Sequence, residues 1–167
     1  MLGAMLEHER QLELLRGEVV ALIDDHVVTA QWCARAGRFG DDGLRVIKAL
    51  KRWTARGDHP ADRAPAWNIL ALTPTRLVVC SGRYVKRLPP VEPTGVLAAW
   101  PLDQVELTSR RIKVSSFFAS TGSTYDSTMR RATIRWDGEE RPLELDFPND
   151  RLARDTLKLA SQACADA

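Results

Sequence analysis

From Trp67 to Phe147, apolar residues recur at about every second position, in short runs separated by turn-forming residues. Side chains of a strand point alternately to the two faces of a sheet, so this period predicts half-buried β-strands. The chain then enters a segment, residues 149–165, in which apolar residues occupy one side of a helical wheel and charged residues the other. Such a helix buries its apolar side, and the predicted sheet provides the surface that covers it. The order of these segments predicts an α+β fold in which a C-terminal helix caps an antiparallel sheet.

Turn-forming residues divide the sheet region into about six or seven strands. The strand candidates are 68–72, 77–80, 96–100, 104–107, 112–118, 130–136 and 142–147. The loops expected between them include 86–95 and 119–127. Asp137-Gly138 lies between the last two runs and favours a two-residue type I′ turn. That turn predicts a hairpin in which Arg131 lies opposite Glu144 and pairs with it.

The N-terminal part of the chain has a less regular pattern. Helical spacing of its apolar residues predicts a helix over residues 1–16, and Gly17 is expected to end it. Residues 18–32 fit either a strand or a helix. Their valine and isoleucine content favours the strand, because β-branched residues pack well on a pleated surface.

The organisation of the chain is that of a single domain. A length of 167 residues is enough to bury one core, and no internal repeat or linker divides it. We therefore expect one domain over 1–167, with strands in 67–147 and the capping helix over 149–165. Residues 37–66 are expected to form an insert with a loop and a short helix from about Leu44 to Trp53.

The first predicted hairpin carries a pattern typical of a known family. The residues that match it are Leu70, Ala71, Leu72, Thr73, Arg76 and Leu77. They resemble the "lalT-x-x-R-L" hairpin of bacterial pleckstrin-homology-like (PH-like) and GRAM-like domains. A strand of acidic and apolar residues before the final helix, here 143–147, is also typical. The resemblance covers about residues 67–165, with Gly17-Glu18-Val19 added if they lie in the first strand, and the insert over 37–66 is longer than such a domain needs.

The resemblance implies a partly open barrel of two orthogonal antiparallel sheets with the helix plugging one end. Domains of this kind serve as adaptors that recognise proteins, peptides or anionic lipid headgroups, and bacterial members often assemble with themselves. The resemblance supplies no active site, metal or cofactor. It therefore implies a non-enzymatic binding or scaffolding module with a protein or peptide partner, and leaves a homo-oligomer open.

The charge of the chain is unevenly distributed. Residues 76–135 carry ten basic and four acidic side chains, whereas residues 136–167 carry four and eight. Two basic clusters of the middle region lack evident partners in the sequence and are candidates for anion or lipid binding. Their members are Arg83, Lys86 and Arg87, and Arg110, Arg111 and Lys113. Clusters of this kind also occur as solvated loop charges, and that alternative stays open.

Other function classes find less support in the sequence. A net charge of +2 argues against nucleic acid as the partner, since such binding needs a concentrated basic face. The three histidines show no metal-binding spacing, and no nucleophile motif or phosphate-binding glycine loop is present. Asp24 and His26 are the one acid and base pair that could share a strand face, so a small enzyme using them is a second alternative.

The insert supplies the candidates for a partner interface. They are Trp53, Lys48 and Arg52, because tryptophan is a frequent interface anchor and the basic side chains flank it. Three widely spaced cysteines give no disulfide framework, and we expect reduced thiols and a cytoplasmic protein. Peripheral attachment to the inner membrane face through the two basic clusters is the first alternative function.

Overall fold

The computed structural model describes residues 2–37, 57–118 and 123–167. In chain order the elements are α1 (Leu2–Ile23), β1 (Thr29–Arg35), α2 (Pro60–Arg63), β2 (Trp67–Leu72), β3 (Arg76–Tyr84), β4 (Val91–Pro101), a 3₁₀ turn (Leu102–Gln104), β5 (Val105–Phe118), β6 (Ser123–Trp136), β7 (Leu143–Pro148) and α3 (Arg151–Asp166).

The strands form one seven-stranded sheet in the order β4-β3-β2-β1-β7-β6-β5. Every neighbouring pair is antiparallel. The first strand, β1, pairs with the last strand, β7, in the middle of the sheet. This seam between β1 and β7 has only two register pairs, Ala34 with Asp146 and Arg35 with Leu145. The α+β class and the antiparallel sheet with a C-terminal helix are therefore confirmed.

Helix α3 covers the inner face of the sheet. Asp150 begins it as the N-cap, and its carboxylate accepts a hydrogen bond from the Ala153 amide at 2.8 Å. The side chains that α3 buries are Ala153, Thr156, Leu157 and Ala160, which recur at helical spacing. They pack against the core of the sheet, which includes Leu107 and Phe147. The helix predicted over 149–165 is thus present, at 151–166.

The predictions for residues 1–32 are wrong in two respects, because α1 continues through Gly17 to Ile23 and the first strand starts only at Thr29. Leu15 and Val19 are four residues apart and both fully buried, so they extend one helix face across the glycine. Gly17 is exposed, and a Cβ placed on it would contact nothing within 4 Å.

Helix α1 also explains the long apolar runs in β2 and β3. Its buried residues form a second core with the outer face of the sheet, through Ala30, Ile69 and Val78 among others. The half of the sheet near β1 to β3 is therefore covered on both faces. A strand covered on both sides has no polar alternation, as the consecutive buried residues Ile69 to Leu72 show.

Strands β5 and β6 form a long hairpin. They were predicted as shorter segments, with candidates at 104–107, 112–118 and 130–136 and a loop at 119–127. In the structure each has 14 residues, paired from Val105 with Trp136 to Phe118 with Ser123. Polar residues 108–111 do not interrupt β5, because none of them is Gly or Pro and each has a partner on β6. Pairing of β6 with β7 stops at Met129, so the distal half of the hairpin consists of two strands.

The hairpin of β6 and β7 is confirmed, but its predicted register is wrong by two residues. Glu144 lies opposite Thr133, and Arg131 lies opposite Asp146. Gly138 has a φ of +80°, as the turn requires, but the turn is longer than two residues. Pro142 has no N–H to donate, so the strand starts at Leu143. A shift of two keeps each side chain on its predicted face, because the period of a strand is two.

The loop between β3 and β4 is shorter than the predicted 86–95, since β4 begins at Val91. The predicted insert helix, with Lys48, Arg52 and Trp53, lies outside the described residues. The described end of the insert contains the short helix α2, which is capped by the His59 side chain through the Ala61 amide. In the described part of the chain, the helices include none with the length and apolar character that a bilayer crossing requires.

Candidate anion-binding cleft

The first predicted basic cluster lies where β3 leads into β4. Arg83 donates from Nη2 to Glu92 Oε2 at 2.8 Å, and Arg87 donates from Nη2 to Glu18 Oε1 at 2.9 Å. The hydrogen bond from Arg83 lowers the pKa of Glu92, and the bond to Glu18 raises the pKa of Arg87. The expectation that this cluster lacks carboxylate partners is therefore wrong for these two arginines.

Lys86 is the exception within that cluster. It is exposed, and among the described residues no carboxylate lies within ion-pair distance of it. Two of the three cations thus connect β3, β4 and α1 through ion pairs.

The second predicted cluster lies on β5, the edge strand of the sheet. Arg110, Arg111 and Lys113 are all exposed, and β5 is at the opposite end of the strand order from β4 and β3, where the first cluster lies. Arg110 lies opposite Arg131, and Arg111 lies opposite Arg130. Consecutive residues of a strand point to opposite faces, so this cluster is divided between the two faces of the hairpin.

The inner face of the hairpin contributes to a cleft beside α3. Its volume is about 950 Å³. The polar and charged residues that line it are Thr108, Ser109 and Arg130 from the hairpin, and Arg151, Arg154, Asp155, Lys158, Ser161 and Gln162 from α3. The cleft therefore has four basic residues and one acidic residue along its walls.

Most of these cations lack a partner. Arg151 Nε lies 3.5 Å from Asp155 Oδ2, within the same helix. Among the described residues, Arg130, Arg154 and Lys158 form no ion pair. The Nε of Arg130 is buried and has no hydrogen-bond partner there. A buried donor without an acceptor is unfavourable, so the cleft is incompletely satisfied as it stands.

The arrangement of the cations is also unfavourable in the free protein. Arg130 faces Arg111 across the strands, and like charges directly opposite destabilise a sheet. On α3, Arg154 lies three residues from Arg151 and four from Lys158, at spacings where like charges repel. Each such pair costs a few tenths of a kcal/mol.

The start of α3 increases the positive potential. No acidic residue occurs in its first turn, where the unpaired N–H groups give a helix its positive end. Asp150 supplies a carboxylate there, but it caps the helix, and its second oxygen lies 3.7 Å from His8 Nε2. The cations that line the cleft and the positive end of α3 together favour an anion there.

The edge of β5 beside the cleft provides backbone groups as well. Ser161 Oγ donates to the Leu107 carbonyl at 2.8 Å, which shows that Leu107 directs its backbone groups away from β6. Alternate residues of a strand point their N–H and C=O groups the same way, so Ser109, Arg111 and Lys113 do so too. No other strand within the described ranges pairs with this edge.

Sequence reasoning missed the helical half of this cleft. Arg151, Arg154 and Lys158 belong to the charged side of the helix predicted over 149–165, and Arg130 is the first residue of the strand predicted over 130–136. The signal in the sequence is the spacing of these three cations at i, i+3 and i+7, which places them on one edge of the helix.

The residues of the enzymatic alternative do not come together. Asp24 and His26 are both exposed, and the His26 amide bonds to the carboxylate of Asp25 at 2.7 Å. No hydrogen bond joins the pair. In the ranges that the structure describes, no group of three or more metal-ligating side chains is placed to hold a metal ion.

Two comparisons, one with protein-family models and one with curated sequences, give no match. The geometry of the cleft and of the β5 edge therefore carries the functional interpretation.

Proposed function

We propose that this chain is a non-enzymatic binding module that receives an extended, acidic segment of a partner protein along the edge of β5. One observation carries this proposal: among the described residues, the edge of β5 pairs with no other strand, and it runs beside a cleft in which three cations, Arg130, Arg154 and Lys158, have no ion-pair partner.

The two features complement each other in recognition. An added strand gains affinity from main-chain hydrogen bonds, and here Ser109, Arg111 and Lys113 present the donors and acceptors. Side chains of the added strand alternate between two faces, so every second one reaches the cations of the cleft. Charge complementarity then selects acidic residues at those positions.

The fold supports binding as the function. A sheet that runs from β4 through β1 to β5, with a C-terminal helix against its inner face, is compatible with the PH-like resemblance. The family that the resemblance names consists of adaptors. We therefore propose a PH-like adaptor whose recognition surface is β5 together with α3.

Attachment to an anionic membrane is the second candidate. Tyr84 is 55% exposed and Leu88 is 57% exposed, and in the sequence they flank Lys86, which has no ion-pair partner within the described residues. An aromatic and an apolar side chain next to a basic one favour the interface of a bilayer. The neighbouring arginines contribute less attraction, because carboxylates already pair with them.

A peptide of nine alternating threonine and glutamate residues tests the proposal. We expect it to bind and to shift the amide NMR signals of Ser109, Arg111 and Lys113, while the matched threonine and lysine peptide does not bind. Ser109→Pro removes one edge N–H without changing the charge, and proline is tolerated on an edge. It should abolish binding, and Ser109→Ala, which keeps the N–H, should retain it.

Other occupants of the edge give different results. Concentration-dependent dimerisation that Ser109→Pro removes would assign the edge to a second copy of the chain and overturn the proposal. Sedimentation with phosphatidylserine vesicles that Leu88→Asp abolishes, without peptide binding, would favour the membrane function instead.

A further inference from the structure

The cleft between α3 and the β5–β6 hairpin has more positive charge than an acidic side chain neutralises. Arg130, Arg154 and Lys158 each lack an ion-pair partner among the described residues. A glutamate or aspartate of the partner segment brings one negative charge. A phosphate monoester brings about 1.5 to 2 and three acceptor oxygens. The excess of cations therefore fits a phosphate better than a carboxylate.

The cations also approach from two sides. Arg130 extends from β6, whereas Arg154 and Lys158 extend from α3 on the opposite wall. A tetrahedral group with three oxygens accepts hydrogen bonds from several directions, whereas a planar carboxylate suits one arginine fork. The Nε of Arg130 has no acceptor among the described residues, and a phosphate oxygen would supply one.

On these grounds, and resting on the proposed function, we propose that the partner segment carries a phosphorylated side chain that occupies the cleft among Arg130, Arg154 and Lys158. The hydroxyl groups of Ser109 and Ser161 lie on the same walls. The β5 edge holds the segment, and the cleft distinguishes its phosphorylated form.

The test compares three forms of one peptide. The second glutamate of the threonine and glutamate peptide is kept, replaced by phosphoserine, or replaced by serine. We expect the phosphoserine form to bind the full chain about tenfold more tightly than the glutamate form, and the serine form to bind most weakly. Fluorescence anisotropy of labelled peptides measures all three affinities.

Substitutions in the cleft test which residues cause the preference for phosphoserine over glutamate. Arg130→Gln and Lys158→Gln should each reduce the preference for phosphoserine to about twofold or less. Arg135→Gln is the matched control, since Arg135 lies on the outer face of the same hairpin opposite Glu106. It should leave the preference unchanged. Circular dichroism of each variant confirms that it folds.

The outcomes separate this inference from the function on which it rests. Equal affinity for the phosphoserine and glutamate forms would refute the phosphate site and leave the acidic-segment module standing. Absence of binding by all forms would refute both. Tighter binding of inositol trisphosphate than of the phosphoserine peptide would assign the cleft to a lipid headgroup and overturn the inference.

Discussion

Arg131 donates two hydrogen bonds to Asp146, from Nε to Oδ1 at 2.8 Å and from Nη2 to Oδ2 at 3.0 Å. The side chain of Asp146 is 1% exposed, and its Oδ2 also accepts from the Gly37 amide at 3.0 Å. The bond to Asp146 raises the pKa of Arg131. One carboxylate thus links β6, β7 and the end of β1 at the narrow seam of the sheet.

The first prediction concerns this carboxylate. Asp146→Asn should lower the free energy of unfolding by about 2 to 4 kcal/mol, because it leaves a partly buried guanidinium without its counter-charge. Urea denaturation followed by circular dichroism measures the change. Glu144→Gln is the control, since the one hydrogen bond of the Glu144 side chain among the described residues comes from the Thr133 hydroxyl, at 3.4 Å, and its loss should cost less than about 0.5 kcal/mol. Equal effects of the two variants would contradict a special role for Asp146.

The second prediction concerns the unfavourable charges of the cleft. Lys158→Gln should raise the melting temperature of the free protein by about 1 to 2 °C, because it relieves repulsion with Arg154. Added sodium chloride should stabilise the wild type more than this variant, since salt screens the same repulsion. Differential scanning calorimetry at low and high salt measures both effects. A lower melting temperature for Lys158→Gln would show that the cations already have favourable partners.

The third prediction concerns the thiols. Burial raises the pKa of Cys33 and Cys164 and raises that of Cys80 to about 11. Only the thiolate reacts readily, and Cys164 is the one that is not fully buried. A thiol reagent at pH 8 should therefore label Cys164 first, and Cys33 and Cys80 only on unfolding. Mass spectrometry of timed samples identifies the order, and early labelling of Cys80 would contradict its burial.

The same shifts give a pH dependence of stability. A folded-state thiol pKa above the unfolded value means that the unfolded chain loses its proton first. The contribution of the protonated Cys80 thiol to the free energy of unfolding is therefore fully present below pH 9 and is lost as the pH rises toward 11. In Cys80→Ala the free energy of unfolding should fall less between pH 8 and pH 10 than in the wild type. Denaturant titrations at the two pH values measure this difference.

The fourth prediction concerns His59. Its Nδ1 accepts from the Ala61 amide at 3.0 Å, its Nε2 lies 2.8 Å from the Arg141 carbonyl, and its ring stacks on Trp136 at 5.3 Å. His59→Ala should cost about 1 to 3 kcal/mol and change the tryptophan emission. The exposed His26 is the control, and His26→Ala should change neither quantity.

The sequence predicts those parts of the fold that depend on local chemistry. The wheel of α3 and its cap at Asp150 specify the terminal helix, and Asp137-Gly138 specifies a turn. The register beyond that turn depends on the residue at which main-chain pairing starts again after Pro142. The alternation of apolar residues does not show which residue this is. The sequence predicts a helix end at Gly17 because glycine has a low helix propensity. The packing of Leu15 and Val19 against the sheet outweighs that propensity, and it exists only in the folded chain.

The candidate site could be predicted only in part. Arg110, Arg111 and Lys113 stand out because they are close together in the sequence. Arg130 and Lys158 come together only when α3 packs beside the hairpin. Whether a charge has a partner is a property of the folded chain. No local pattern therefore distinguishes Arg154, which has no ion-pair partner in the described ranges, from Arg87, which pairs with Glu18.

Helix α3 fills the core with one side and forms a wall of the cleft with another. Whatever occupies the cleft contacts this helix and the β5–β6 hairpin at once, and therefore opposes the local detachment of α3 from the sheet. Hydrogen exchange of the α3 amides measures that detachment and becomes a label-free report of occupancy.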